Sequence, residues 1–235
     1  MPVNEQKYIS LPYKSNTGHS NTTSTMPQIH PEIPPLQNVE IYFWHIEENA
    51  EELAAQSQTC NRLLPEARER FKAPKRLREW LAVRALLELT PYGNCSIIYR
   101  ANGQPVLDGC NKHISISHTH GYAAIAFANK PIGIDIESKK RNALALATAF
   151  LQTKEIDTLQ PDGNEKTEAL RLWTAKEAAF KCFPDKSTVL KDITTQPLDG
   201  NSPFMQHLAT YRDCTTAICR TVELKEFIIS VCTTE

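Results

Sequence analysis

Residues 131–137 read PIGIDIE and alternate isoleucine with glycine and two acids. Successive side chains of a β-strand point to opposite faces, so the three isoleucines share one face and the glycine and both acids share the other. At a rise of about 3.3 Å per residue, Asp135 and Glu137 lie about 7 Å apart on that second face. The stretch therefore predicts a core strand that carries two like charges on one side.

Length and composition describe an ordinary globular protein. The chain has 235 residues, of which 41% are hydrophobic, so it can bury a sizeable core in one large domain or two small ones. Its 26 basic and 27 acidic side chains leave a formal charge of -1, which argues against nucleic acid and anionic membranes as partners. We expect a cytoplasmic protein, because the chain has no apolar run long enough to span a membrane and residues 1–10 lack the apolar core of a signal peptide. The seven cysteines include no CxxC pair, which favours reduced thiols.

Elements of the same kinds occur on both sides of Pro131. Residues 1–35 are polar and rich in proline, which predicts a mobile segment. Strand patterns and helical patterns then follow in two sets. Strands are predicted at 39–47, 96–100, 113–118 and 122–128, and weaker strand patterns occur near the end. A polar helical stretch follows the first strand, and further helices are predicted at 71–90, helical from about Pro74, at 143–151 and at 168–183. We therefore predict an α+β fold of two similar, pseudo-duplicated halves, residues 36–130 and 131–235.

The helix predicted at 168–183 carries a third acid. Trp173 recurs with neighbouring aromatic residues at helical spacing and indicates the buried face, while Glu177 and Lys181 are neighbours four residues apart. Taken alone, this pair predicts a solvated ion pair, and Asp135 and Glu137 predict a strand end beside basic residues. Taken together, three carboxylates beside a lysine provide what Mg²⁺ needs to share its oxygen shell with a phosphate.

Two motifs in this order, IGIDIE at 132–137 and WTAKEAAFK at 173–181, resemble the paired signature of the 4'-phosphopantetheinyl transferase superfamily. Further segments agree with that family in order, namely KRLREWLAVR at 75–84, RANGQP at 100–105 and SISHTHGYAAIAF at 115–127. The resemblance runs from about residue 39 to the end and is to the two-half, monomeric, surfactin-synthetase-activating type. It implies two similar α+β halves with the active site in the cleft between them.

The resemblance also implies a role for each matching residue. Asp135, Glu137 and Glu177 would hold Mg²⁺ against the pyrophosphate of coenzyme A, and Lys181 would contact its phosphates near the leaving group. The first half would supply further coenzyme A contacts, from Lys75, Arg100, Gln104, Ser117 and His118. Ser117 and His118 would meet the adenosine end, with His118 on the ribose phosphate. Gln104 stands where the family usually has a lysine, so that one phosphate contact is weakened or moved.

The implied reaction moves the 4'-phosphopantetheine arm of coenzyme A to a serine of an apo acyl or peptidyl carrier protein. Adenosine 3',5'-bisphosphate leaves, and Mg²⁺ neutralises charge on the transferred group. Asp135, Glu177 and Lys181 would form the catalytic set, with Glu177 as the candidate base for the serine hydroxyl. The expected partners are therefore coenzyme A and a carrier protein, which the monomer would receive near its cleft.

Two other classes of protein remain open from the sequence. A magnesium nuclease is suggested by the acid-x-Lys spacing of Glu137 and Lys139, with Asp108 as a distant acid, although the near-neutral charge argues against it. A non-catalytic homologue that only binds coenzyme A or a carrier protein is favoured by Gln104. The complete set of three acids argues against this second class.

One charged residue of the helix predicted at 71–90 is assigned a structural role. The helical period places Arg84 in the middle of the apolar arc, which is an unusual position for a charge. Glu88 follows four residues later and is predicted to be its partner.

Overall fold

The protein is described by a computed structural model over residues 33–34, 36–159, 163–183, 189–198, 204–211 and 215–234. Helices and strands are mixed along this part of the chain, which confirms the predicted α+β class. Within these residues, no helix is both long enough and apolar enough to cross a membrane.

The strands follow one another through the described residues. In chain order they are β1 (Val39–His45), β2 (Ser96–Tyr99), β3 (Pro105–Asp108), β4 (His113–Thr119), β5 (Tyr122–Ala128), β6 (Ile132–Ser138), β7 (Ile193–Pro197), β8 (Met205–Tyr211), β9 (Thr215–Glu223) and β10 (Phe227–Thr233). The helices are α1 (Ala50–Gln56), α2 (Gln58–Arg70), α3 (Pro74–Glu88), α4 (Ala147–Phe150), α5 (Thr153–Ile156) and α6 (Glu165–Cys182). Sequence patterns predicted most of these elements but missed the short strands β3 and β7.

The strands form two antiparallel sheets and a separate hairpin. The first sheet has the order β1-β5-β4, and the second has the order β6-β10-β9-β8-β7. The part β6-β10-β9 repeats the order of the first sheet, because an opening strand pairs with the last strand of its half. The hairpins β2-β3 and β7-β8 occupy equivalent places in the chain, but β7-β8 is joined to its sheet whereas β2-β3 is a sheet of its own.

One long helix packs against each sheet. Helix α3 begins with Pro74 in its first turn, a position where the missing N–H of proline costs no hydrogen bond, and it packs on β5. Helix α6 packs on β6 and β10 with its alanine-rich face, since small side chains allow a close approach. The acids predicted on β6 therefore lie under α6.

The helix predicted at 143–151 is interrupted. A 3₁₀ turn at Leu144–Leu146 leads into the single turn of α4, and α5 follows as a separate turn. The carbonyl oxygen of Phe150 accepts a hydrogen bond from Lys176 Nζ at 2.9 Å, while Glu155 binds the N–H of Gln152 at 2.8 Å and starts α5. These contacts with α6 and within α5 replace the backbone bonds that would continue one helix.

The first residues that the structure describes are packed against β1. Ile33 and Leu36 are buried in the same apolar cluster as Val39 and Ile41 of β1. The predicted boundary at residue 35 therefore cuts through packed residues, and the rest of the segment predicted to be mobile lies outside the described part.

Candidate functional site

Strand β6 lies at the edge of the five-stranded sheet, between the other sheet and α6. Its isoleucine face belongs to an apolar cluster with Ile41 and Ala124 of the first sheet. Its other face lies under α6 so closely that a Cβ on Gly133 would be 1.8 Å from the carbonyl oxygen of Ala178. The glycine of PIGIDIE is thus required by the approach of α6, which brings the third acid to the two acids of β6.

Asp135 is the most buried of the acids, with 5% of its surface exposed. Its Oδ1 atom accepts hydrogen bonds from Lys181 Nζ at 2.7 Å and from the Ser117 hydroxyl at 2.9 Å. Lys181 also donates to the carbonyl oxygen of Ile134 at 2.9 Å, so it binds the strand and does not form the solvated pair with Glu177. The Oδ2 atom is buried and has no hydrogen-bond partner among the described residues.

Glu137 is bound on both oxygens. Its Oε1 atom accepts from Arg141 Nη1 at 2.8 Å and from the indole N–H of Trp173 at 3.3 Å, and its Oε2 atom accepts from the Thr119 hydroxyl at 3.3 Å. Burial and the neighbouring charge of Asp135 raise the pKa of Glu137. The sequence indicated basic residues beside this strand end, and Arg141 is the one of them that binds Glu137.

Glu177 faces the two acids of β6 from α6. Burial raises its pKa, and the charges of Asp135 and Glu137 raise it further, against an opposing effect of Lys181. The described residues donate no hydrogen bond to its carboxylate. The structure thus brings the three predicted acids and Lys181 together, and it leaves the Glu177 carboxylate and one oxygen of Asp135 without donors.

The donor chemistry of this acid cluster fits Mg²⁺, which prefers carboxylate oxygens. One carboxylate oxygen of Asp135 is buried without a partner among the described residues, and burial, followed by the charge of Asp135, raises the pKa of Glu137 and of Glu177. Even so, no three His, Cys, Asp or Glu side chains in the described part of the chain are arranged to hold a metal ion. The carboxylate of Asp135 is bound to Lys181 and that of Glu137 is bound to Arg141, and these two ion pairs keep the acids from converging on one point. The backbones of β6 and α6 nevertheless bring the three carboxylates to one place, and side chains reorient more easily than the strand and helix that carry them.

A second group of residues lies on the side of the first sheet. Glu79 is buried, 3.6 Å from His118 Nδ1 and 3.8 Å from Lys75 Nζ. Burial lowers the pKa of His118, Glu79 opposes this effect, and the charges of Lys181 and Arg76 strengthen it. The predicted ligands Lys75 and His118 are thus brought together at Glu79, and the charge of Lys181 acts on His118. Glu79 is not among the predicted site residues, although its spacing of four from Lys75 on a helix indicates a contact between them.

Arg100 and Gln104 lie at the turn of the β2-β3 hairpin. Arg100 Nη1 donates to Gln104 Oε1 at 3.3 Å, and Gly103 adopts a φ of 79° that favours glycine. Within the described part of the chain, neither side chain is bonded to the acids or to His118. The structure therefore does not bring these two predicted ligands into the cluster.

Arg84 has a structural role, but its predicted partner is wrong. Its guanidinium lies 3.2 Å from the ring centroid of Trp80 and donates to the carbonyl oxygen of Trp80 at 3.0 Å. Glu88 instead accepts from the Ser57 hydroxyl at 2.6 Å and the Thr59 N–H at 3.0 Å. Glu88 thus satisfies donors at the beginning of α2, a need that its spacing from Arg84 does not reveal.

The residues of the nuclease alternative are not assembled. Lys139 Nζ is bound to Glu223 at 2.6 Å, and Asp108 is exposed on the β2-β3 hairpin. Among the described residues, neither Lys139 nor Asp108 is bonded to Glu137. The three residues of the nuclease alternative therefore do not form one site.

Comparisons with known proteins agree with the geometry. Residues 131–232 match the family model of the 4'-phosphopantetheinyl transferase superfamily. The chain is 31% identical over 111 residues to the 4'-phosphopantetheinyl transferase gsp of Aneurinibacillus migulanus, a match that covers 46% of this chain and 46% of that protein. It is 38% identical over 82 residues to the 4'-phosphopantetheinyl transferase Sfp of Bacillus subtilis (strain 168), covering 34% of this chain and 37% of that protein. The chain therefore spans less than half the length of each of these relatives.

Proposed function

Because the resemblance to the 4'-phosphopantetheinyl transferase superfamily is confirmed over residues 131–232, we propose that the protein is an enzyme of this type. It transfers the 4'-phosphopantetheine arm of coenzyme A to a serine of an apo acyl or peptidyl carrier protein and releases adenosine 3',5'-bisphosphate. The observation that carries the proposal is the cluster of Asp135, Glu137 and Glu177 beside Lys181. A non-catalytic homologue would not need to keep three mutually repelling acids in one place.

Mg²⁺ is the proposed cofactor, held by Asp135, Glu137 and Glu177. When bound, it would neutralise negative charge on the pyrophosphate of coenzyme A. The ion also gives a physical reason for clustered acids, since the charge of Asp135 adds to burial in raising the pKa of both Glu137 and Glu177, and a cation would oppose this effect.

Glu177 is the proposed base for the carrier serine. Its carboxylate accepts no hydrogen bond from the described residues, so an oxygen of Glu177 that does not bind the cation is available for the serine proton. The serine oxygen forms a bond to the phosphorus next to the pantetheine arm while the bond to the bridging oxygen breaks. The serine proton passes to Glu177. Lys181, which already binds Asp135, stabilises the negative charge on the departing phosphate.

Coenzyme A is the proposed co-substrate, with His118 on its ribose phosphate and Lys75 as a further contact to its anionic groups. The buried carboxylate of Glu79 lies 3.8 Å from Lys75 Nζ and 3.6 Å from His118 Nδ1, which gives the adenosine end two donors within one region. Arg100 and Gln104 remain proposed contacts from the neighbouring hairpin.

We also propose that the two halves arose by duplication and enclose the active site between them. The shared strand order of β1-β5-β4 and β6-β10-β9 supports this proposal, as do the hairpins at equivalent places in the chain. The acids lie on β6 and α6 of the second half, whereas Ser117 and His118 come from β4 of the first.

A transfer assay with coenzyme A, Mg²⁺ and an apo carrier protein tests the proposal, with the mass of the carrier as the readout. Asp135→Asn and Glu177→Gln should each abolish most transfer, because each removes an anionic oxygen without changing the size of the side chain. High Mg²⁺ should partly restore Asp135→Asn, whose role is ligation, but not Glu177→Gln, which also accepts the proton. Glu168→Gln, on the same helix but paired with Arg171, is the matched control and should transfer like the parent.

Two outcomes would contradict the proposal. A parent protein that binds coenzyme A without modifying any carrier would be a non-catalytic homologue. Transfer at near the parent rate by either acid variant would show that the acid cluster is not the metal site.

A further inference from the structure

Three hydroxyl side chains of β4 bind the free edge of β6. Strand β6 pairs with β10 on one side only, so alternate N–H groups on its other side lack a strand partner. The hydroxyl oxygens of β4 accept hydrogen bonds from these groups, Ser115 from Ile134 at 3.0 Å, Ser117 from Ile136 at 3.2 Å and Thr119 from Ser138 at 3.2 Å. The three residues are thus equivalent in their contact with the backbone.

Ser115, Ser117 and Thr119 differ in the group to which the hydroxyl donates its own hydrogen bond. Ser117 donates to Asp135 Oδ1 at 2.9 Å, and Thr119 donates to Glu137 Oε2 at 3.3 Å. The position on β6 that corresponds to Ser115 is Gly133, which has no side chain to accept a proton. A hydroxyl carries a single proton, so Ser117 has none left to donate to a phosphate oxygen of coenzyme A.

We infer that Ser117 is a positioning residue for Asp135, and that Thr119 plays the same part for Glu137. By binding Oδ1, Ser117 and Lys181 fix the carboxylate so that its unpartnered Oδ2 atom is the oxygen available to a cation. This inference rests on the proposed function where it assigns these acids to Mg²⁺. It replaces the direct contact with coenzyme A that the family resemblance implies for Ser117.

The two positions should contribute unequally. The Ser117 bond is the shorter, and among the described residues Asp135 has only Lys181 as a further side-chain donor. Glu137 is also held by Arg141 and Trp173, so its carboxylate keeps its orientation when Thr119 is changed. The effect on metal binding should therefore be larger at Ser117.

Titration calorimetry of the full chain with Mg²⁺, without coenzyme A or carrier, tests the inference. Groups that orient a metal ligand typically contribute about 10-fold or more to metal affinity, so Ser117→Ala should weaken Mg²⁺ binding by about 10-fold and Thr119→Val by less. Ser117→Thr and Thr119→Ser keep the hydroxyl and should bind like the parent. Ser115→Ala is the matched control, because it also leaves a β6 N–H unpaired but removes no donor to an acid.

Transfer kinetics give a second readout. Ser117→Ala should raise the Mg²⁺ concentration needed for half-maximal transfer while the KM for coenzyme A at saturating Mg²⁺ stays near that of the parent. A direct contact with coenzyme A would instead raise this KM.

The inference is overturned if Ser117→Ala binds Mg²⁺ like the parent, or if Ser115→Ala weakens binding equally, since packing of the strand edge would then explain the effect. It also fails if the parent binds no Mg²⁺. Failure of the proposed function is a separate result: a parent without transfer, but with Mg²⁺ affinity lowered by Ser117→Ala and not by Ser115→Ala, would retain the positioning role alone.

Discussion

Replacing Gly133 with alanine would put a methyl group into the backbone of α6. The new Cβ would lie 1.8 Å from the carbonyl oxygen of Ala178 and 2.8 Å from the backbone nitrogen of Cys182. Ordinary contact begins at 3.4 Å, so the helix would have to retreat by about 1.6 Å. Overpacking a core costs about 1–3 kcal/mol, and the upper end applies here because backbone atoms cannot rotate away as a side chain would.

A loss of about 3 kcal/mol corresponds to a fall of roughly 6–12 °C in melting temperature for a domain of this size. Calorimetry or circular dichroism measures it, with Gly103→Ala as the control. Gly103 has a φ of 79° and no neighbouring atom within 4 Å of the added Cβ. Its substitution therefore costs only backbone strain, about 1–2 kcal/mol.

Transfer activity gives an independent measurement on the same variant. Glu177 and Lys181 are carried by α6, so a retreat of the helix separates them from Asp135 on β6. We expect Gly133→Ala to lose most activity at temperatures where it is still folded, whereas Gly103→Ala keeps it. If Gly133→Ala melts no lower than Gly103→Ala, α6 does not pack against the strand at this distance and the reasoning is refuted.

Three other perturbations test the packing around the site. Lys176→Met should lower the free energy of unfolding in denaturant by about 3–5 kcal/mol, because Glu155 loses its 2.6 Å ion pair in the core. Adding Glu155→Gln should recover part of this loss, and an undiminished loss in the double variant would contradict the ion-pair explanation. Burial lowers the pKa of His207 below 6.5, so the unfolded chain takes up its proton first and stability declines as the pH falls through that value. His207→Gln should show a smaller fall in melting temperature between about pH 7.5 and 5.5 than the parent, and identical falls would mean that His207 is not responsible. A chain that begins at residue 37 should melt below one that begins at residue 33, since it lacks Ile33 and Leu36, each worth about 1.5–3 kcal/mol; equal melting temperatures would show that these side chains add no stability.

The sequence predicted the elements whose burial follows a simple period. Strand β5 and helix α3 have long apolar patterns, and the structure places both where the patterns do. The short strand β3 was missed because four residues carry little periodicity. The single turn of α5 was missed for the same reason, because it too has only four residues.

The same limit applies to the site. Residue types and motif spacing indicated that Asp135, Glu137, Glu177 and Lys181 belong together, and the structure brings them together. Spacing alone suggested Lys181 as a partner for Glu177 and Glu88 as a partner for Arg84. Both pairings failed because a strand edge and a helix start compete for these side chains from elsewhere in the fold. Side-chain partners across the sheets, such as Ser117 for Asp135, leave no periodic trace in the sequence.

The hydroxyls on β4 also affect whether another molecule can add a strand to the edge of β6. An outer strand with free N–H groups is a template on which another chain can add a strand, and β6 is rich in isoleucine, which favours such pairing. Short side chains satisfy these groups without offering a backbone that could continue the ladder. The two sheets consequently stay separate, and the isoleucine strand is protected from intermolecular sheet growth that leads to aggregation.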